Sequence, residues 1–275
     1  MSAARYGAEP SRTARGVILG IVGLVFVVPI IAMVQFSLRI GQTDSHGVQK
    51  LGFQHYLDIV QPANEADYDQ LFQGLGNSLV ICALTVAMVL LLLLPTMILV
   101  ELRFPSLRRV LEFVCIVPIT IPSIVLVVGF VPVYSVVAQL FGSSPWTLAF
   151  AIGIIVLPYA YRPIATNLAS VDVVILSEAG RSLGAGWGSV LTRVIVPNLR
   201  RGILSSVFIT IAVVLGEFTI ASFLSQNTFQ TALILLQQTD PYVAVIFAVV
   251  ALVFAFILLV VIGRIGSVGR SRRTP

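Results

Sequence analysis

The chain has 275 residues, of which 57% are hydrophobic and 11% charged, whereas soluble globular chains carry about 25% charged residues. With a mean hydropathy of +1.00, 17 basic and 12 acidic residues, the composition excludes a water-soluble globule, a disordered chain and a highly charged nucleic-acid binder. The apolar residues fall in long runs, the pattern of a chain solvated by a bilayer.

Crossing about 30 Å of hydrocarbon at about 1.5 Å per residue takes about 20 apolar residues. Six stretches qualify, so the expectation is an all-α membrane protein of six transmembrane helices between a tail of residues 1–15 and a basic tail of residues 264–275. The first stretch, Gly16 to Phe36, follows the basic residues Arg5, Arg12 and Arg15. Its apolar core is longer than the 7–15 residues of a signal peptide and no A-x-A-like site follows, so it reads as a retained span.

The connection from Ser37 to Asn77 contains Asp44, Asp58, Glu65, Asp67 and Asp69 with both histidines, His46 and His55. The carboxylates are unevenly spaced and do not follow a calcium-loop pattern, so this reads as a solvated loop rather than a cation site. The second span is expected from Ser78 to Val100, opened by Asn77 and Ser78. The third, Glu112 to Val137, is interrupted by Pro118, Pro122 and Pro132. Each proline removes a backbone donor and clashes with the preceding turn. Two readings stay open for these prolines: packing kinks at a helix interface, or a stretch lining the pathway.

The fourth span, Trp146 to Tyr161, is short, with Pro145 and Trp146 at one interface and Tyr159 and Tyr161 at the other. About 40 residues then separate it from the fifth span, Ile203 to Leu224, far more than adjacent helices need. Within this connection Ile175, Ala179 and Leu183 repeat at helical spacing and form one apolar stripe, while Gly184 and Gly186 supply helix-ending residues. Pro197 is placed to open the next helical stretch. Glu217 lies late in the fifth span, where an ionisable side chain either faces a pathway or lies beyond an early helix end. The last span runs from Tyr242 to Gly263.

Charge placement orients these elements. Fifteen of the 17 basic residues fall in the two tails, the second-to-third connection and the fourth-to-fifth connection, leaving Arg39 and Lys50 on the opposite face. By the positive-inside rule both termini and the long connection should be cytoplasmic. Lys50 is the single lysine and is not preceded by glycine, so a phosphate-binding P-loop cannot be written in this sequence. Cys82 and Cys115 lie inside apolar runs and suggest neither a disulfide nor a metal site.

The connection from Glu178 to Pro197 resembles the cytoplasmic E-A-A loop of the permease subunits of binding-protein-dependent ABC importers. That pattern is Glu-Ala-Ala, three residues, Gly, nine residues, then Ile-x-Leu-Pro. Glu178, Ala179, Gly184 and Pro197 match it in spacing, Val194 and Val196 are conservative replacements, and Gly180 replaces the second alanine. The resemblance implies a type I ABC importer permease-like fold, in which a coupling loop over about residues 162–202 docks a short helix on an ATP-binding subunit. It further implies two copies of that subunit, holding ATP and Mg; a second permease subunit, a paralogue or a second copy; an extracytoplasmic binding protein; and a place in the cell membrane. Glu178, Ala179, Gly180, Arg181, Leu183, Gly184 and Pro197 would serve coupling. Pro118, Pro122 and Glu217 are pathway candidates. Neither a cofactor in this chain nor nucleic acid is implied.

Around Glu178 to Ala185 the sequence is more similar to polyamine, phosphonate, iron and oxyanion permeases than to sugar permeases. Glu217 tilts the expectation toward a polyamine such as spermidine or putrescine. Similar Gly-Glu-Phe stretches occur in oxyanion permeases, which keeps phosphonate, iron and sulfate or thiosulfate as alternatives. An intramembrane enzyme would need converging catalytic groups, which the spans do not offer. A secondary transporter would commonly show a duplicated half, and none is visible.

Overall fold

The computed structural model describes residues 11–40, 50–61 and 65–267. Most of both tails, and Asp44 and His46 of the first connection, lie outside the described residues.

Helix α1 (Arg12–Ser37) starts with the Ser11 hydroxyl accepting the Ala14 N–H at 3.2 Å, one of the free donors of a first turn. Strands β1 (Arg39–Ile40) and β2 (Lys50–Leu51) pair antiparallel, and α2 (Gln54–Val60) follows. Helix α3 (Glu65–Met88), a π-helical segment at Val89–Leu93 and α4 (Leu94–Arg103) form one continuous rod. A 3-10 turn leads to α5 (Arg108–Thr120), α6 (Ser123–Phe141) and α7 (Leu148–Ala169). The long connection contains α8 (Val173–Ser182), α9 (Trp187–Ser189), a second π-helical segment at Val190–Ile195 and α10 (Val196–Asn198). Then come α11 (Arg200–Leu215), α12 (Thr219–Phe223), α13 (Phe229–Thr239) and α14 (Pro241–Ser267).

Among the described residues, five helical stretches are long and apolar enough to cross a bilayer: Thr13–Ser37, Tyr68–Arg103, Ser123–Phe141, Pro145–Ala169 and Pro241–Val261. The pair Trp187–Asn198 and Arg200–Leu215, bent by 74°, makes a sixth if counted as one span. This agrees with an all-α, multi-pass membrane architecture, and it corrects several boundaries. The helix of the second span begins at Glu65, so Asn77 and Ser78 lie inside it rather than opening it. The third span is two helices, because Pro122 forces the residue before it out of the α region: Ile121 has φ −103° and ψ 125°. The helix of the fifth span stops at Leu215, and the connection after it contains α12 and α13.

The chain divides into two compact units. The first comprises residues up to Glu65 together with Leu236–Leu252. Here Tyr242 stacks on Phe36 at 4.9 Å and on His55 at 4.6 Å between ring centroids. Ser37 is buried and its hydroxyl meets the Tyr56 hydroxyl at 2.7 Å. His55 thus serves as a packed ring, with Nε2 3.0 Å from the Arg39 carbonyl oxygen.

The second unit holds a continuous apolar core in which α7 is the central helix, contributing Leu148, Ile152, Val156, Ala160 and Ile164. Its principal partner is α11. The two cross closely because Gly202 has no side chain: a Cβ there would lie 2.7 Å from the Asn167 Cβ and 2.8 Å from the Pro163 carbonyl oxygen. Asn167 Oδ1 accepts the Gly202 N–H at 2.9 Å, so α7 supplies the cap of α11's first turn. At the other end of the unit, Asn77 Nδ2 donates to the Asn227 carbonyl at 2.8 Å and Ser78 Oγ accepts the Phe229 N–H at 2.9 Å. Asn227 Nδ2 donates to the Gln70 carbonyl. The polar residues at the expected helix start therefore hold the segment that enters α13.

Adding a methyl at the crossing forces backbone apart, so Gly202→Ala should destabilise the fold by about 1–3 kcal/mol. Gly76→Ala, at an exposed helical position with nothing within 4 Å of an added Cβ, should be neutral or stabilising by up to about 1 kcal/mol. Thermal unfolding of the purified chain in detergent measures both; equal midpoints for the two variants would remove Gly202 from this role.

Candidate functional site

The expected coupling helix is α8, and its length is set by its own ends. Asp172 Oδ1 accepts the Ile175 N–H at 3.0 Å, which caps the first turn. At the other end Gly184 adopts φ +84°, a conformation that costs an L-residue about 1–2 kcal/mol and glycine little. Its N–H donates to the Arg181 carbonyl at 2.9 Å, and the Ala185 N–H donates to the Gly180 carbonyl at 3.1 Å. Those two bonds are a Schellman stop. The glycine expected to end the helix does so, and Asp172, three residues before Ile175, is a cap residue by type as well as by contact.

Facing is set by which residues pack. Val173 and Ser177 are buried and Leu176 and Gly180 half-buried, which places the inner face at helical spacing. Gly180 lies against the second π segment, where a Cβ would sit 3.2 Å from Val190 Cγ2. An alanine here requires Val190 to yield by a few tenths of an ångström, which gives a local reason for the departure from the Glu-Ala-Ala pattern. The stripe Ile175, Ala179 and Leu183 points the other way. Ile175 is 62% and Leu183 89% exposed, and Glu178 and Ala179 lie exposed between them. This outer face joins one carboxylate to three apolar side chains, all four exposed.

Behind α8, Trp187 gathers two cations. The Arg181 guanidinium lies 4.6 Å and that of Arg103 5.2 Å from its ring centroid. Such contacts each contribute about 0.5–1 kcal/mol at exposed sites. They join α8 to the end of α4, which also packs against it. Arg181 is thus engaged on the chain itself while remaining exposed, and Arg103 and Trp187 are site residues that sequence spacing did not reveal, since they lie 84 positions apart. Pro197 follows the second π segment directly, in α10. Rather than opening a long helix it stands just before the 74° bend, and α11 starts at Arg200.

The pathway candidates are not brought together with this loop. Pro118 is buried within α5, and Pro122 is exposed at the α5–α6 break. Glu217 is half-buried beyond the end of α11, where its Oε1 accepts the Ile220 N–H at 2.8 Å. The helix ends early, two residues before Glu217. The carboxylate satisfies a donor at the start of α12, which packs against α6 and α7.

Broken apolar helices around an apolar helical core, with a capped helix presented on the long connection, define a multi-pass membrane protein. The chain belongs to the family described as binding-protein-dependent transport system inner membrane component, whose family model matches residues 94–268. It is also similar to a protein of Pasteurella multocida (strain Pm70) named phosphate transport system permease protein PstA, with 34% identity over 115 residues. That match covers 42% of this chain and 40% of the relative's length.

Removing either end of α8 should loosen it without unfolding the core. Asp172→Ala should cost about 1 kcal/mol and Gly184→Ala about 1–2 kcal/mol. Hydrogen exchange should accelerate roughly fivefold or more at the amides of α8, a factor of five being about 1 kcal/mol, while α7 and α11 keep their protection. Unchanged exchange in both variants would show that the helix ends are held by something else.

Proposed function

We propose that this chain forms half of the translocation pathway of an ATP-driven, binding-protein-dependent importer. The outer face of α8, formed by Ile175, Glu178, Ala179 and Leu183, is its contact with an ATP-binding subunit. The observation that carries this reading is that the loop with the Glu-Ala-x spacing presents that face outward, complete and unused by the chain's own core. The assembly has two ATP-binding subunits carrying ATP and Mg, a second permease subunit and an extracytoplasmic binding protein. Both termini and α8 lie on the cytoplasmic side, in keeping with the concentration of arginine there.

Mechanically, α8 is a rigid lever. Its inner face is packed on the second π segment and on α4, so a displacement imposed on the outer face reaches two spans as a rigid-body motion. Nucleotide then shifts the population between inward-facing and outward-facing arrangements by its differential affinity for them, and no covalent chemistry in this chain is needed.

For substrate, the likeness to a phosphate system permease supports an oxyanion such as phosphate. The Glu217 carboxylate, whose charge would favour a polyamine, is engaged with a backbone donor. A polyamine-like cation remains the second reading, supported by Glu217 being the ionisable group at the break after α11.

Glu178→Arg should abolish uptake and reduce co-purification of the ATP-binding subunit at least tenfold, with the chain still inserted in the membrane; full transport by this variant would overturn the docking assignment. Uptake of labelled phosphate and of labelled spermidine by the assembled complex separates the substrates: phosphate accumulation dependent on ATP is expected. Glu217→Gln should leave it within about twofold, because the amide oxygen can still accept from Ile220. Spermidine uptake lost in the same variant would instead establish the cation reading.

A further inference from the structure

On the side of α4 away from the central helix lies an open apolar groove with a cavity of about 730 Å³. One wall is the rod from Leu91 to Phe104, and the other is Trp187, Gly188, Leu191 and Ile195. Both π-helical segments contribute to it. Leu91, Leu92, Leu99 and Phe104 are exposed along its length. A smaller apolar cavity of about 290 Å³ shares Leu91 and Leu92 and ends at Trp146.

Charge in the larger groove is confined to one end. Arg103 lines it beside Trp187, with the Arg181 guanidinium on the same ring, and no carboxylate is among the lining residues. The residues from Leu91 to Arg103 span about 18 Å at about 1.5 Å per residue, close to the hydrocarbon depth of one leaflet, about half of 30 Å. An aromatic ring with arginine at one end of a leaflet-deep apolar furrow matches the headgroup layer of the basic face.

We infer that this groove holds an anionic phospholipid, its acyl chain along Leu91, Leu99 and Leu191 and its phosphate against the Arg103 guanidinium over Trp187. Charge complementarity selects this occupant over a span from a second copy. The apolar helix α1, for example, contains no acidic residue to meet the arginines. A zwitterionic lipid fills the furrow equally well and gains less at its rim, because its own ammonium group offsets the phosphate. The inference does not depend on the substrate or on the docking of α8.

Trp146 and Trp187 are the two tryptophans of the chain, so Trp146→Phe leaves the groove residue as the reporter. The full chain carrying Trp146→Phe is reconstituted in phosphatidylcholine bilayers containing phosphatidylglycerol, with either lipid brominated near the headgroup end of its acyl chains. Brominated phosphatidylglycerol should quench Trp187 at mole fractions several-fold lower than brominated phosphatidylcholine does. Arg103→Gln should abolish that preference and Arg103→Lys should largely keep it. Without any change at Arg103, unlabelled phosphatidylglycerol should restore emission at several-fold lower fractions than unlabelled phosphatidylcholine. Equal quenching by both lipids would overturn the inference in favour of ordinary boundary lipid. Absence of quenching by either would overturn it in favour of a protein occupant such as a second copy.

Discussion

The close crossing of α7 and α11 at Gly202 is the contact on which the remaining geometry hangs. The two helices are the ones that enter and leave the long connection, and they approach until the backbone of one meets the side chain of the other. Asn167 adds a hydrogen bond across the same point. The roots of the connection are therefore fixed relative to each other before any residue of α8 is placed. A helix bounded by its own caps and hung between fixed roots has one orientation, which is why its outer face can be complete without support from outside the chain.

The second recurring constraint is that backbone donors and acceptors removed from water must find partners within the protein. Each break in an apolar helix shows how this is met. At the end of α11 the Glu217 carboxylate accepts from Ile220. After α12, Ser225 takes φ 54° so that the Gln226 N–H can reach the Ala221 carbonyl at 2.8 Å. Before α13, the Asn77 and Ser78 side chains satisfy the backbone of Asn227 and Phe229. Among the described residues, three buried hydroxyls, Thr85, Ser206 and Thr210, have no partner.

Long apolar runs announce themselves, because their length is a property of the bilayer; hence the membrane architecture and the approximate positions of its spans could be read from composition alone. The ends of α8 were half legible: Gly184 follows from its residue type, and Asp172 could have been read as a cap. Which face of α8 packs could not, because a stripe of Ile175, Ala179 and Leu183 looks the same whether it is buried in this chain or kept for another. The early end of α11 was one of two readings open at Glu217, because the stretch beyond it mixes apolar residues with Thr219, Ser222 and Ser225. The contact of Arg103 with Trp187 depends on tertiary placement of residues distant in sequence and leaves no periodic trace. Pro122 was the reverse case: its local effect on Ile121 was derivable, yet the stretch around it was expected as one interrupted span, with a packing kink and a pathway lining both open, and not as two helices.

The two π-helical segments carry a consequence for how this chain tolerates change in length. A π turn accommodates one residue beyond what the α ladder needs, and excising that residue would let each segment close into ordinary α-helix. The helix would survive such a deletion, but everything beyond it would turn by about 100° about its axis. In the first segment that swings Arg103 away from Trp187; in the second it swings Trp187 relative to the elements that follow. Angular phase is thus stored as a surplus residue at Val89–Leu93 and again at Val190–Ile195. A single-codon deletion there would rotate the gearing between spans without lowering helix content.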